Sequence, residues 1–246
     1  MATTTRFDSL DALRGLALVW MALFHLCFDL NHFGFWRQDF YNDPFWTSQR
    51  TCILSLFLFC AGLGQAVALH QGQSWSRFWR RWGKVAGCAV LVSAGSWLMY
   101  PQTFIYFGVL HGIALMLVVT RLTGAWGQWL WLLGAVAIAA KFLAAQMLAG
   151  SVWEGQLNGP GLNWLGLITR KPVTEDYVPL LPWLGVMWWG MAAGQWVLRT
   201  QAAMLGRPIP KPIAPLAALG RWSLSFYVAH QPVMIGLLML VAALRS

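Results

Sequence analysis

Charge is what this chain has least of. Only 10% of its 246 residues are Asp, Glu, Lys or Arg, where a soluble domain carries about 25%. Apolar residues make up 58%, and mean hydropathy is +0.55. That balance excludes a disordered segment and a coiled coil, both of which depend on charge. The four cysteines, Cys27, Cys52, Cys60 and Cys88, all lie inside apolar runs. They fit neither a disulfide scaffold nor metal-ligand spacing and are read as packed thiols, so no metal is expected. Also missing are a Walker-type glycine loop, a zinc pair of histidines at i and i+4, a Gly-x-Ser-x-Gly elbow and a Cys-x-x-Cys motif. There is no internal repeat, no low-complexity tract and no soluble domain of useful size.

Long hydrophobic runs are abundant. Segments near the length needed to cross a bilayer, roughly 20 residues, run over about 9–31, 47–69, 84–100, 104–120, 125–149, 180–198 and 223–244. The fold they predict is an all-α, polytopic membrane helix bundle of about seven transmembrane helices, one domain over 1–246. Residues 151–175 are less apolar and contain Asn158-Gly159-Pro160-Gly161, which predicts a long loop with a short interfacial helix. Asp8, Asp11 and Arg14 interrupt the first run at its start, and no small-residue cleavage pattern follows Leu30. It therefore reads as a first span rather than a signal peptide.

The excess of 17 basic over 8 acidic side chains falls mostly on one side of these spans. With the N-terminus inside, the inner side holds Arg6, Arg77, Arg80, Arg81, Lys84, Arg121, Arg199, Arg207, Lys211 and Arg221. The outer side holds Arg37, Arg50, Arg170, Lys171 and Arg245, beside Asp39, Asp43, Glu154, Glu175 and Asp176. The positive-inside rule then gives a cytoplasmic N-terminus. Loop bias also accounts for the pI of about 10.0, so no nucleic-acid partner is expected. Tryptophans 75, 79, 82, 126, 129, 183, 188 and 189 near span ends read as an interfacial belt, and Gly62 and Gly64 as points of close helix approach.

Ionisable groups inside a span are costly and usually face a cavity or a partner. At about 100° per residue, with Asp11 at 0°, Arg14 falls near 300°, His25 near 320°, Asp29 near 0° and His32 near 300°. One narrow face of the first helix thus carries all five. Arg14 and His25 stand eleven steps apart, roughly 16 Å of rise. Asp11 and Arg14 also read as a plain ion pair at the helix end, and Asp29 and His32 as solvated groups at the outer boundary. His25 lies among Trp20, Met21, Leu23, Phe24, Leu26 and Phe28 and must find a polar partner or line a cavity. Elsewhere His111 and His230 serve either chemistry or helix–helix contact. Pro232 predicts a kink or local opening of the last helix, and Lys141 snorkels.

Several pieces together carry a resemblance. Leu10-Asp11-Ala12-Leu13-Arg14-Gly15-Leu16-Ala17 with His25, then Phe57-Leu58-Phe59-Cys60-Ala61-Gly62, resemble the start of the transmembrane acyltransferase superfamily. Arg77-Phe78-Trp79-Arg80-Arg81, the run from Phe104 to His111, the run from Asp176 to Gly185, and Leu219-Gly220-Arg221-Trp222-Ser223 through His230-Gln231-Pro232 follow in order. The chain is most similar to the heparan-alpha-glucosaminide N-acetyltransferase-like family of bacterial membrane proteins and more distantly to acyltransferase family 3.

The resemblance implies an integral protein of the bacterial cytoplasmic (inner) membrane. It would move an acyl group, first of all acetyl, from cytoplasmic acyl-CoA to a small glycan or other acceptor on the far side. Arg14 and His25 match the arginine and histidine that the superfamily uses for catalysis. On this footing His25 acts as general base or as a covalent acyl carrier. Arg14 holds the donor or stabilises the oxyanion, Asp11 fixes Arg14, and Asp29 orients the His25 ring. Arg77, Arg80, Arg81, Lys84 and Arg221, with His230, are candidates for binding acyl-CoA, since guanidinium forks suit phosphate; plain positive-inside bias is the simpler account of the arginine cluster. His111, Asp176, Tyr177 and Trp183 are candidates for the acceptor. A proton-coupled transporter or flippase using the same polar stripe is the alternative, though no inverted repeat supports it; a non-catalytic scaffold is a third class. The residues leave open whether the chain forms a homo-oligomer.

Overall fold

A computed structural model of the chain describes residues 6–244. Among these residues there is no β-strand. Ten α-helices form: α1 (Asp8–His32), α2 (Pro44–His70), α3 (Trp75–Met99), α4 (Val109–Leu122), α5 (Trp129–Leu148), α6 (Glu154–Asn158), α7 (Leu180–Thr200), α8 (Ala202–Leu205), α9 (Ala214–Arg221) and α10 (Ser223–Ala243). Each of the seven apolar runs became a helix. Four of them, α1, α2, α5 and α10, are long and apolar enough to cross a membrane. Arg245, read above as an outer-side charge, lies outside the described residues.

The remaining three differ from the sequence reading for identifiable reasons. α3 begins at Trp75 rather than near 84, because the Ser74 side chain caps the Arg77 N–H and apolar rings recur at 75, 78, 79 and 82. Arg77, Arg80, Arg81 and Lys84 therefore sit on a helix and not in a loop. α4 has 14 residues, about 21 Å of rise. The residues before it are extended: Phe107 bridges to Tyr177, and the Glu175 and Val178 amides donate to the Thr103 and Phe107 carbonyls. α7 is long enough but rich in tryptophan and glycine, and Leu181 within it has extended backbone angles.

The residues fall into two compact units, with the division inside α2 between Phe57 and Leu58. The unit containing 58–201 comprises the second half of α2 and α3 to α7, with α3 packed on α4 and α7 on both α4 and α5; Leu58, Met116, Leu130, Met187 and Met191 are its fully buried large side chains. Gly62 lies against the Met187 carbonyl and Gly190 against that of Phe59, so α2 and α7 approach backbone to backbone. Several tryptophans do more than fill a belt. The Trp82 indole donates to the Ala114 carbonyl, Trp188 to Thr123 Oγ1 and Trp189 to the Trp131 carbonyl, while Trp75, Trp79, Trp126 and Trp129 remain exposed.

The other unit comprises α1, the first half of α2, α8, α9 and α10. α1 crosses α9 so closely that a Cβ on Gly15 would overlap the Leu216 carbonyl, and one on Gly220 the Asp11 carbonyl. Leu18, Met21 and Ile53 form the apolar centre, with Trp20, Phe24, Phe57, Leu219, Phe226 and Tyr227 against it. At the far end of α1, Phe40 is buried among Phe24, Phe28 and Trp46. α10 runs through Pro232 as one continuous helix, so the missing amide leaves no break there.

Candidate functional site

Two polar clusters lie along α1, and both belong to the second unit. The first is near its N-terminus. Asp11, 2% exposed, accepts from Arg6 Nε at 2.5 Å through one carboxylate oxygen and from Arg14 Nη1 at 3.1 Å through the other. Two guanidiniums on one carboxylate leave the group with an unbalanced positive charge. A carboxylate in the first turn also suits the positive end of the helix dipole. Nearby, Arg221 pairs with Asp8 at 2.8 Å, tying α9 to the start of α1.

The second cluster lies about eleven residues further along α1, where α10 supplies the partners. His230 Nδ1 stands 2.7 Å from the Tyr227 carbonyl and 3.2 Å from that of Phe226. A carbonyl only accepts, so Nδ1 carries the proton, and a neutral His230 offers a lone pair at Nε2. That Nε2 stands 3.1 Å from His25 Nδ1. Gln231 Oε1 hydrogen-bonds the same His25 nitrogen, while Gln231 Nε2 donates to Asp29 Oδ1 at 2.9 Å and Oδ2 at 3.2 Å. The Asp29 carboxylate accepts from the amide nitrogen and so sets which end of Gln231 faces His25. With two acceptors at Nδ1, His25 is protonated there and its lone pair lies on Nε2. Asp29 and His230 are buried; His25 is half-buried. Phe226 stacks on His230 and Phe24 tilts against His25, so the pair is walled by rings. An imidazole with a fixed Nδ1–H and a lone pair on Nε2 has the chemistry that a general base or a nucleophile requires.

The structure thus brings together His25, Asp29 and His230, and separately Asp11 and Arg14. It interposes Gln231 between Asp29 and the His25 ring. His32 is exposed at the end of α1. Sequence reasoning passed over Gln231 because it searched the spans for ionisable groups; a buried amide has the same need of partners, and that criterion finds it.

The other sequence candidates belong to the first unit, where Asp176, His111 and Tyr177 have local partners. Asp176 Oδ2 accepts from the Val109 amide at 2.7 Å, placing a carboxylate at the start of α4. His111 Nε2 lies 3.1 Å from Ser93 Oγ, whose own proton goes to the Ile105 carbonyl, and His111 Nδ1 accepts from the Gly108 amide. Tyr177 donates to the Asn163 carbonyl at 2.6 Å. Trp183 is half-buried near the start of α7. Arg77, Arg80, Arg81 and Lys84 are exposed along the first turns of α3. Cations there oppose the helix dipole, so helix stability does not explain them. Arg121 is buried, donates to the Gln73 carbonyl and lies over the Trp75 and Phe78 rings. Among the described residues no group of three or more His, Cys, Asp or Glu could hold a metal ion.

Comparison with known families matches residues 6–232 to heparan-alpha-glucosaminide N-acetyltransferase, catalytic. That range includes both α1 clusters and the His230-Gln231-Pro232 turn of α10. No curated protein and no solved structure matches the chain.

Proposed function

Starting from a chain that belongs to the heparan-alpha-glucosaminide N-acetyltransferase catalytic family, a membrane acetyltransferase family, we propose acyl transfer from cytoplasmic acyl-CoA to a small, sugar-like acceptor across a bacterial inner membrane. Acetyl is the first acyl group to test. The observation that carries this reading is the division of labour along α1: a cationic group at Arg6, Asp11 and Arg14, and a base at His25 roughly 16 Å further on. A long pantetheine arm suits that separation, with its phosphates at the cationic end and its thioester near the imidazole. Arg14 leans back to Asp11 and away from His25, which favours donor binding over oxyanion stabilisation as its role. The exposed cluster from Arg77 to Lys84 remains a candidate for phosphate binding within its own unit.

In this reading the N-terminus is cytoplasmic and all seven helices formed by the apolar runs cross. The extended residues before α4, bonded to 175–178, complete the short α4 span; such backbone is tolerated at membrane depth where protein satisfies it. The acceptor O–H or N–H gives its proton to His25 Nε2 as its oxygen or nitrogen attacks the thioester carbonyl. Collapse of the tetrahedral intermediate breaks the C–S bond, and the thiolate takes the proton from the imidazolium to leave as CoA-SH. Transfer through an acyl-histidine would use the same Nε2.

Two measurements on the detergent-purified protein test the proposal. Saturable acetyl-CoA binding, weakened at least tenfold by Arg14→Ala, is expected, as is loss of thioester consumption in a folded His25→Ala protein. Absence of binding for acetyl-CoA and longer acyl-CoAs would overturn the enzyme reading and turn attention to solute flux in proteoliposomes.

A further inference from the structure

Nothing in the activity proposed above needs a glutamine, yet Gln231 makes both of its possible connections inside the site. Its amide nitrogen donates to both oxygens of Asp29, and its oxygen faces His25 Nδ1. A residue that only joined α1 to α10 could do so through either end. Here the two ends are used for opposite purposes, one meeting an acceptor and the other a donor.

We propose that Gln231 is the positioning residue of His25: its amide couples the buried Asp29 carboxylate to the imidazole and holds the tautomer that leaves Nε2 free. The inference rests on reading His25 as the base. Three physical points carry it. An amide has a fixed arrangement of one acceptor and two donors, so once Asp29 claims the NH2 group, only the oxygen can face His25. A carboxylate drawing on the NH2 end polarises the amide and enriches its oxygen in negative charge. When Nε2 takes a proton, the resulting imidazolium has that oxygen at Nδ1–H, so the Asp29 charge is felt without direct contact. His230 completes the arrangement. Its own proton is held by the Tyr227 carbonyl, so it meets His25 Nδ1 with a lone pair and also favours the Nδ1–H tautomer. His230 and Gln231 from α10 bear on His25 directly, and Asp29 from α1 does so through Gln231; His32, the other ionisable group on this stretch of α1, faces Asp29, and Tyr227 meets His230.

The test needs no knowledge of the acceptor. Diethyl pyrocarbonate carbethoxylates an unprotonated imidazole nitrogen, so the rate of His25 modification against pH, read by peptide mass spectrometry on the full-length protein in detergent, follows protonation of the ring. Gln231→Leu removes the polarised oxygen, and the midpoint is expected to move to lower pH by about one unit. Gln231→Glu, nearly the same shape, brings a second negative charge to Nδ1 and is expected to move it to higher pH by a similar amount, the usual size for a close charge. Asp29→Asn is expected to move it in the same direction as Gln231→Leu, by less. A role confined to helix packing would change thermal stability and leave the midpoint still, and that result in both Gln231 variants would overturn the coupling alone. If Gln231→Leu fails to fold, the Glu variant decides. Failure of His25 to react in the wild-type protein at any pH would overturn the base itself, which separates the two readings.

Discussion

Asp29 on α1 and Gln231 on α10 meet through two hydrogen bonds, 2.9 and 3.2 Å long, between one amide nitrogen and both oxygens of one carboxylate. Asp29 is 3% exposed. The contact fixes the register of α1 against α10 at the level of His25 and, with the His25–His230 contact, makes a polar joint between the two helices. Register matters because a shift of one residue on either helix turns the relevant side chain by about 100°.

Asp29→Leu should therefore destabilise the protein by about 1–3 kcal/mol, the cost of leaving a buried donor unpaired. Asp29→Asn keeps an acceptor for Gln231 and should lose less. Thermal unfolding in detergent checks both, and equal melting temperatures for wild type and Asp29→Leu would remove the joint from the account.

Asp11 holds Arg6 and Arg14 together. Asp11→Ala leaves two like charges side by side and should cost about 1.5–3 kcal/mol, the range for hydrogen bonds to charged groups. Inorganic phosphate should then restore part of the lost melting temperature by standing in for the carboxylate. A melting temperature indifferent to phosphate, compared at matched ionic strength, would count against a cationic group open to anions.

Close approach of α9 to α1 depends on glycine at 220, where a Cβ would overlap the Asp11 carbonyl. Gly220→Val should destabilise by about 1–3 kcal/mol or more, because backbone cannot yield as a flexible side chain does. A Cβ on Gly236 in α10 would meet nothing within 4 Å, and Gly236→Ala should be neutral or stabilise by about 0.5–1 kcal/mol. Chemical or thermal unfolding of the pair gives the comparison, and similar losses at both positions would contradict it.

In the loop of 149–179, Glu154 accepts from Thr169 Oγ1 and the Gly150 amide and stands 4.0 Å from Arg170. The Thr169 hydroxyl, then the Gly150 amide, holds its carboxyl below the usual value of 4.5. A depressed folded-state value means that the stabilisation is present above about pH 4.5 and is lost as pH falls through the lower folded value. Amide exchange at Gly150, whose N–H donates to Glu154, corrected for its intrinsic pH dependence, should rise over that window, and Glu154→Gln should abolish the rise. Exchange that tracks pH identically in both proteins would exclude Glu154 as the cause.

Much of the fold was legible because the apolar runs are long and the charges few. All seven runs became helices, and the family is the one that the Arg14 and His25 spacing and the later motifs resemble. The misplaced starts have a common origin. At α3 a mean-hydropathy reading stopped at Lys84, although Trp75, Phe78, Trp79 and Trp82 continue the helical period behind the arginines. At α4 it ran back through Phe104–Gly108, which is apolar yet extended, because those residues bond to the backbone of 175–178. Apolar character marks burial and does not choose between helix and strand geometry.

The site divides in the same way. Sequence determined that Asp11, Arg14, His25 and Asp29 share one face of α1, since a helix repeats every 3.6 residues whatever surrounds it. Only tertiary structure decided that Asp29 reaches His25 through Gln231 and that His230 arrives at His25 Nδ1. Those partners come from residues up to 206 positions away, and no local period encodes which side chain of α10 will arrive opposite a given side chain of α1. That is set by the packing of the two helices, by where each can bury its apolar rings and still give every buried polar atom a partner.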